Sequence, residues 1–264
     1  MSGHEWSQLD RSAIEVRFKQ QEKAYANVFA KGVEFLRARS LHLITTGRQT
    51  LREVLPIIEK ADQAGVDYLH IREKQRTARE LAEWIRLLSD VFPRDRIIVN
   101  DRVDVAMAYH CGGVQLGQQS LHASLAGRML APHQLLGCSV HNDQECLSVQ
   151  SLQLSDQYDS LTEHDIVPSR PPTFVIAGHV FVTECKPGLE PRGLPFVTRM
   201  RKLLAPSISL LAIGGITPHR VKDVIAAGAE GIAVMSGIMQ SAQPQERMKE
   251  YRDQLDKTAE NAIQ

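Results

Sequence analysis

The sequence predicts a closed parallel (β/α)8 barrel, and three observations carry that expectation. Its 264 residues suit one such barrel built around one large core. Eight short β-rich runs recur along the chain, separated by stretches with helical spacing. The runs are nearly continuous in apolar character, as strands covered on both faces must be, so a helical layer over a parallel sheet is expected. Eight units match a closed barrel better than an open sheet, with a doubly wound sheet as the alternative.

The elements follow in order. LHLIT at 41–45 opens the barrel, and LREVLPIIEKADQAG has the spacing of a covering helix. DYLHI at 67–71 is the second strand, followed by the helical RELAEWIRLLSDVF. RIIVN at 96–100, GGVQL at 112–116 and LLGCSV at 135–140 supply the third to fifth strands. TFVIAGHV at 173–180 and SISLLAIG at 207–214 are the sixth and seventh; PHRVKDVIAAGAEG then leads to GIAVMS at 231–236. Residues 41–264 are thus read as a single barrel, and three segments stand outside its rhythm. Residues 1–40 are rich in helix formers and form an amino-terminal extension. The polar, proline-terminated stretch 148–172 is expected to be a mobile surface loop. QPQERMKEYRDQLDKTAENAIQ reads as a closing helix with a fraying charged end.

Composition excludes several function classes. With 31 basic and 31 acidic residues there is no overall field to recruit nucleic acid or an anionic membrane surface. Cys111, Cys138, Cys146 and Cys185 show no paired spacing, which argues for reduced thiols and against a structural metal. The start, MSGHEWSQLD, is polar where a signal peptide needs an apolar core, and no long window is apolar enough to span a bilayer. A cytoplasmic protein acting on a small molecule, with no metal and no cofactor, is the expectation.

Catalytic groups of a parallel barrel sit at the carboxyl ends of its strands, where the loops converge on one mouth. Those ends carry His70, Arg72 and Lys74, then Asn100 and Asp101, Gln118, Ser139, and finally His179, Thr183 and Lys186. The last two strands turn at small-residue pairs, Gly214-Gly215 and Ser236-Gly237. Such turns let backbone N–H groups approach an anion, and loops after strands seven and eight are the recurrent phosphate site of these barrels. A phosphate ester is therefore the expected ligand.

LHLITTG, HIREK, VNDRVDVAMAYHCGGVQLGQ, GCSVH, AIGGI and GIAVMSGI resemble, block by block and in order, the thiamin phosphate synthase and TenI family over about residues 41–255. The resemblance implies a (β/α)8 barrel and one of two activities. A synthase joins a pyrimidine diphosphate to a thiazole phosphate; a tautomerase aromatises a thiazole carboxylate phosphate by moving a proton. In the synthase the sixth strand ends G-P-x-F-x-T-x-T-K, the threonines holding thiazole phosphate and the lysine the diphosphate. This chain has His179 in place of the proline and Cys185 in place of the second threonine, with Thr183 and Lys186 retained. The synthase also holds Mg2+ through two aspartates; Asp101 matches the first, while Ser120 occupies the second position. His70 stands where the synthase usually has glutamine.

Those departures resemble the tautomerase pattern, including the run from Cys185 to Gly193, so the resemblance implies a TenI-type thiazole tautomerase. His179 is then the expected catalytic group, because an imidazole can both take and return a proton near neutrality. Gly214, Gly215, Ser236 and Gly237 would cradle the phosphate, and Arg72 or Lys186 would pair with the carboxylate. Lys74, Asn100, Ser139, Thr183 and Cys185 complete the expected substrate contacts, with the Cys185 thiol in a packing or hydrogen-bonding role rather than as a nucleophile. Asp101 is expected to cap the helix VDVAMAY or to order Arg72. His110, His122, His133 and His164 are expected at the surface. The alternatives are the synthase itself and a non-catalytic binder of a phosphorylated metabolite; a homodimer is expected from the resemblance alone.

Overall fold

The computed structural model describes residues 39–151, 170–184 and 188–260. The expected extension at 1–40 and the core of the expected 148–172 loop lie almost wholly outside these residues. Eight strands form a closed parallel barrel in sequence order. They are β1 (Ser40–Ile44), β2 (Tyr68–Ile71), β3 (Ile97–Asn100), β4 (Gly113–Leu116), β5 (Leu135–Val140), β6 (Phe174–Gly178), β7 (Ser209–Ile213) and β8 (Gly231–Val234). Closure comes from β1 against β8, with Leu41 opposite Ile232 and Leu43 opposite Val234. Every expected strand is present, although β6 ends at Gly178, two residues before the expected end.

Helices cover the outside: α1 (Leu51–Ile58), α2 (Ala78–Leu88), α3 (Val103–Ala108), α4 (Ala123–Met129), α5 (Asp143–Ser151), α6 (Gly193–Leu203), α7 (Val221–Ala226), α8 (Ser236–Met239) and α9 (Pro244–Glu260). The first two begin at reciprocal caps. The Thr50 N–H donates to Glu53 Oε2 at 2.7 Å, and the Thr77 N–H does the same to Glu80 Oε2 at 2.7 Å. Helix α5 runs to Ser151, so the segment expected to be loop from 148 begins as helix. No helix among the described residues is long and apolar enough to cross a membrane.

Alternation along each strand divides the core in two. Outward residues such as Leu41, Leu43, Leu69, Val99, Val175 and Ala212 pack under the helices. Inward residues Ile44, Tyr68, Ile98, Leu135, Phe174, Ile176, Leu211 and Ala233 fill the barrel. The interior interleaves large with small: a Cβ on Gly137 would lie 2.2 Å from the Phe174 ring, so only glycine leaves that ring its place.

At the amino-terminal end of the barrel, Asp67 accepts the Leu41 N–H at 2.8 Å and Arg252 Nη1 at 3.1 Å. This buried ion pair fastens α9 to the start of β2. At the opposite end, Tyr251 on the same helix donates to the Ile216 carbonyl at 2.7 Å, bracing the turn after β7 from below.

Candidate active site

The carboxyl ends of the strands surround a cavity of about 1300 Å³. One wall, from β3 to β5, is polar: Asn100, Gln115 and Ser139. The other, from β6 to β1, is apolar: Ile176, Ile213, Ala233 and Ile44. A flat heterocycle suits such a slot, with its face on the apolar wall and its polar edge toward the amides.

Of the expected site residues, Arg72, Lys74, Asn100, Asp101, Gln118, Ser139, His179, Thr183, Gly214, Gly215, Ser236 and Gly237 line the cavity. Cys185 and Lys186 lie outside the described residues. His70 departs from the expectation: it is an inward residue of β2, fully buried below the cavity, and hydrogen-bonded to His42. Gln115 was not expected. It follows from alternation, since it lies opposite Asn100 on β3 and Gly137 on β5, both inward. Its amide donates to Ser139 Oγ at 3.0 Å, which leaves the serine proton available to a ligand.

Arg72 and Lys74 carry the local positive charge that the balanced composition conceals. Neither has an ion-pair partner among the described residues, whereas nearby Arg76 is tied to Glu73 at 3.1 Å. The Arg72 backbone is fixed by its N–H to Thr45 Oγ1 at 2.9 Å.

Asp101 is not the helix cap it was expected to be; Arg102 occupies that position, without a side-chain cap bond. The reason is backbone geometry. Asp101 has φ of 66°, a left-handed turn that aspartate tolerates and that throws the side chain toward the mouth. Its carboxylate accepts the Ser120 hydroxyl, and Ser120 Oγ in turn accepts the Gly117 N–H at 2.7 Å.

The turn after β7 is shaped by Gly214 and Gly215, both at positive φ (102° and 62°). A Cβ on Gly215 would sit 2.3 Å from the Val182 carbonyl oxygen, so a side chain is excluded twice over. The ladder between β6 and β7 extends past the strand ends, with Phe181 N–H donating to the Gly214 carbonyl at 2.9 Å. This holds the loop after β6 over the glycine turn. After β8, Ser236 and Gly237 open α8, whose first N–H groups have no partner within the helix.

His179 lines the cavity at 4 % exposure. Its Nε2 lies 3.2 Å from the Leu189 carbonyl, which can only accept, so Nε2 carries a proton; Nδ1 is buried without a partner. The described cysteines are inert: burial raises the thiols of Cys111 and Cys138 to about 12 and that of Cys146 to about 11. His110, His122 and His133 are at the surface, as expected; His164 lies outside the described residues.

The sequence model of a family described as thiamine monophosphate synthase (TMP-TENI) matches residues 41–238. The chain belongs to that family. A thiamine-phosphate synthase of Chloroflexus aurantiacus is 33% identical over 227 residues, covering 84% of this chain and 95% of the relative. The thiamine-phosphate synthase of Vibrio campbellii is 29% identical over 211 residues, covering 79% and 94%. Among solved structures, the thiamine phosphate pyrophosphorylase of Pyrococcus furiosus superposes with a TM-score of 0.66 at 25% identity, covering 83% of this chain and 96% of that one.

These relatives overturn the expected tautomerase. The thiamine monophosphate synthase family is one of enzymes, and the relatives matched over most of this chain carry the synthase name. Two of the departures read as marks of the tautomerase have a local place in the packing: His179 against Leu189, and Ser120 on Asp101.

Proposed function

We propose that the protein joins a pyrimidine diphosphate to a thiazole phosphate and releases pyrophosphate. The observation that carries this reading is the synthase name borne by relatives about one-third identical, 33% in one case, over 84% of the chain. The cavity supports it, being large enough for two ligands at about 1300 Å³ and cationic on one side.

In the reaction the bond between carbon and diphosphate oxygen breaks, the electron pair leaving with pyrophosphate. The thiazole nitrogen donates its lone pair to that carbon, so a thiazolium forms and no proton moves. Catalysis then consists of stabilising negative charge on the departing diphosphate and holding the nitrogen in line. Arg72 and Lys74 supply the first, with Lys186 added by family resemblance. Gly214, Gly215, Ser236, Gly237 and Thr183 hold the thiazole phosphate, the glycine turn letting backbone N–H groups approach it. Asn100 and Ser139 meet the polar edge of the pyrimidine substrate, and Ile176 and Ile213 receive ring faces. His179 lines the cavity with Nε2 turned to the Leu189 carbonyl, and no proton transfer is asked of it.

A diphosphate leaving group in this family implies Mg2+. The donors present fit it in reduced form: the Asp101 carboxylate lines the cavity, a hydroxyl replaces the second carboxylate, and no cluster of three or more candidate ligands occurs among the described residues. One carboxylate suffices for an ion that keeps several waters and takes substrate phosphate oxygens. When bound, Mg2+ would neutralise charge on the diphosphate.

The test is incubation of the protein with both substrates and Mg2+, followed by mass spectrometry and a pyrophosphate assay. Equal amounts of thiamin phosphate and pyrophosphate are expected, and neither without Mg2+. Absence of both products under saturating conditions would overturn the proposal.

A further inference from the structure

We infer that His70, held by His42 and Ser40, is a positioning residue that fixes which end of the Asn100 carboxamide faces the cavity. Asn100 is thereby made a hydrogen-bond donor to an acceptor atom of the pyrimidine diphosphate. Only the identity of that ligand rests on the proposed synthase activity.

The residues form one line through the barrel interior. Ser40 and His42 lie on β1, His70 on β2, and Asn100 at the end of β3, two positions beyond the Ile98 that faces His70. Ser40, His42 and His70 are 1 %, 0 % and 0 % exposed. His42 Nε2 lies 3.2 Å from Ser40 Oγ, and His42 Nδ1 lies 2.8 Å from His70 Nε2. His70 Nδ1 and Asn100 Oδ1 are both buried and both lack a hydrogen-bond partner, although the two side chains interact. Asn100 also lines the cavity, so its amide has a buried end and a ligand end.

Proton bookkeeping ties these facts together. Desolvation holds both rings neutral, His42 well below its ordinary value and His70 down to about 3. A neutral imidazole has one donor and one acceptor nitrogen, and the contact at 2.8 Å holds one proton. Two arrangements result. If His42 Nδ1–H donates, His70 must carry its own proton on Nδ1, which is what a buried carbonyl oxygen of Asn100 requires. Ser40 O–H then donates to His42 Nε2. If His70 Nε2–H donates instead, its Nδ1 becomes an acceptor, and Asn100 must turn its NH2 inward and its oxygen to the cavity. The structure has Oδ1 on the buried side. The line of hydroxyl, two rings and amide therefore runs in the first direction, and a donor is presented to the ligand.

The experiment has a spectroscopic arm and a kinetic arm. In 15N-histidine-labelled protein, long-range proton–nitrogen correlation is expected to place the proton on Nδ1 of both buried rings. Protonation of Nε2 on either ring overturns the inference, whatever the activity. In the synthase assay, His70→Phe keeps a ring and removes the donor. It should raise KM for the pyrimidine diphosphate about tenfold, the loss of one oriented hydrogen bond, with kcat and the thiazole phosphate KM within about twofold. Asn100→Ala should lose as much, and the double variant no more; additive losses would mark His70 as merely structural. His70→Gln restores an N–H donor and should recover most of the KM, and failure to recover it counts against the relay. Inorganic pyrophosphate as inhibitor locates the acceptor: weakened inhibition in His70→Phe assigns the acceptor to a phosphate oxygen, and unchanged inhibition assigns it to the ring. Raised KM for the thiazole phosphate alone overturns the assignment to the pyrimidine substrate. A wild-type protein without turnover ends the proposed function, while the tautomer pattern still decides the relay.

Discussion

The imidazoles of His42 and His70 meet nitrogen to nitrogen at 2.8 Å inside the barrel, and neither ring reaches solvent. Two histidines kept neutral by burial make the folded state a poorer binder of protons than the unfolded chain.

Their effect on stability has a definite sign. Both folded-state values lie below the ordinary histidine value, His70 at about 3. Stability is therefore unaffected above the unfolded value of about 6.5 and falls as pH drops from there toward 3, by up to about 1.4 kcal/mol per pH unit for each ring. Urea unfolding at pH 7.5 and pH 5 should show the lower midpoint at pH 5. Replacing both histidines by glutamine should flatten the difference, and an equal difference in that variant would remove the rings as its cause.

Ser120 donates to the carboxylate of Asp101 at the mouth. Ser120→Asp should supply a second anionic ligand and lower the Mg2+ concentration for half-maximal activity about tenfold, equivalent to about 1.4 kcal/mol. Activity titrated against Mg2+ measures it. An unchanged titration would place the ion elsewhere.

Asp67 and Arg252 pair at 3.1 Å with side chains 12 % and 8 % exposed. Arg252→Met leaves a buried carboxylate uncompensated and should cost about 3 to 5 kcal/mol by denaturant unfolding. Adding Asp67→Leu should return part of that loss. A larger loss in the double variant would contradict this account.

Tyr251 donates to the Ile216 carbonyl at 2.7 Å, and burial raises its hydroxyl to about 12. Tyr251→Phe removes that brace beneath the glycine turn and should cost about 1 kcal/mol. If the turn holds phosphate, KM for the thiazole phosphate should rise a few-fold while that for the pyrimidine diphosphate stays put. Equal changes in both would assign the tyrosine to stability alone.

Much of the site was legible because a barrel sends its strand ends to one mouth. Arg72, Asn100, Ser139, His179 and the Gly214-Gly215 turn all face the cavity as the strand assignment implied. The activity was not legible, for a different reason. His179 and Ser120 differ from the synthase pattern, and a difference in residue type does not say whether the new side chain reacts or packs. His179 sets one nitrogen against Leu189, and Ser120 ties itself to Asp101.

By itself the sequence determined the eight strands, their parallel order and the ring of polar residues at their carboxyl ends, because apolar alternation and turn residues act over a few neighbours. The folded chain alone decided which inward side chains meet. Closure of β1 on β8 and the stagger between strands bring His42 to His70 and carry Arg252 back 185 residues to Asp67. Such pairings depend on distances across the barrel, and no local pattern encodes them.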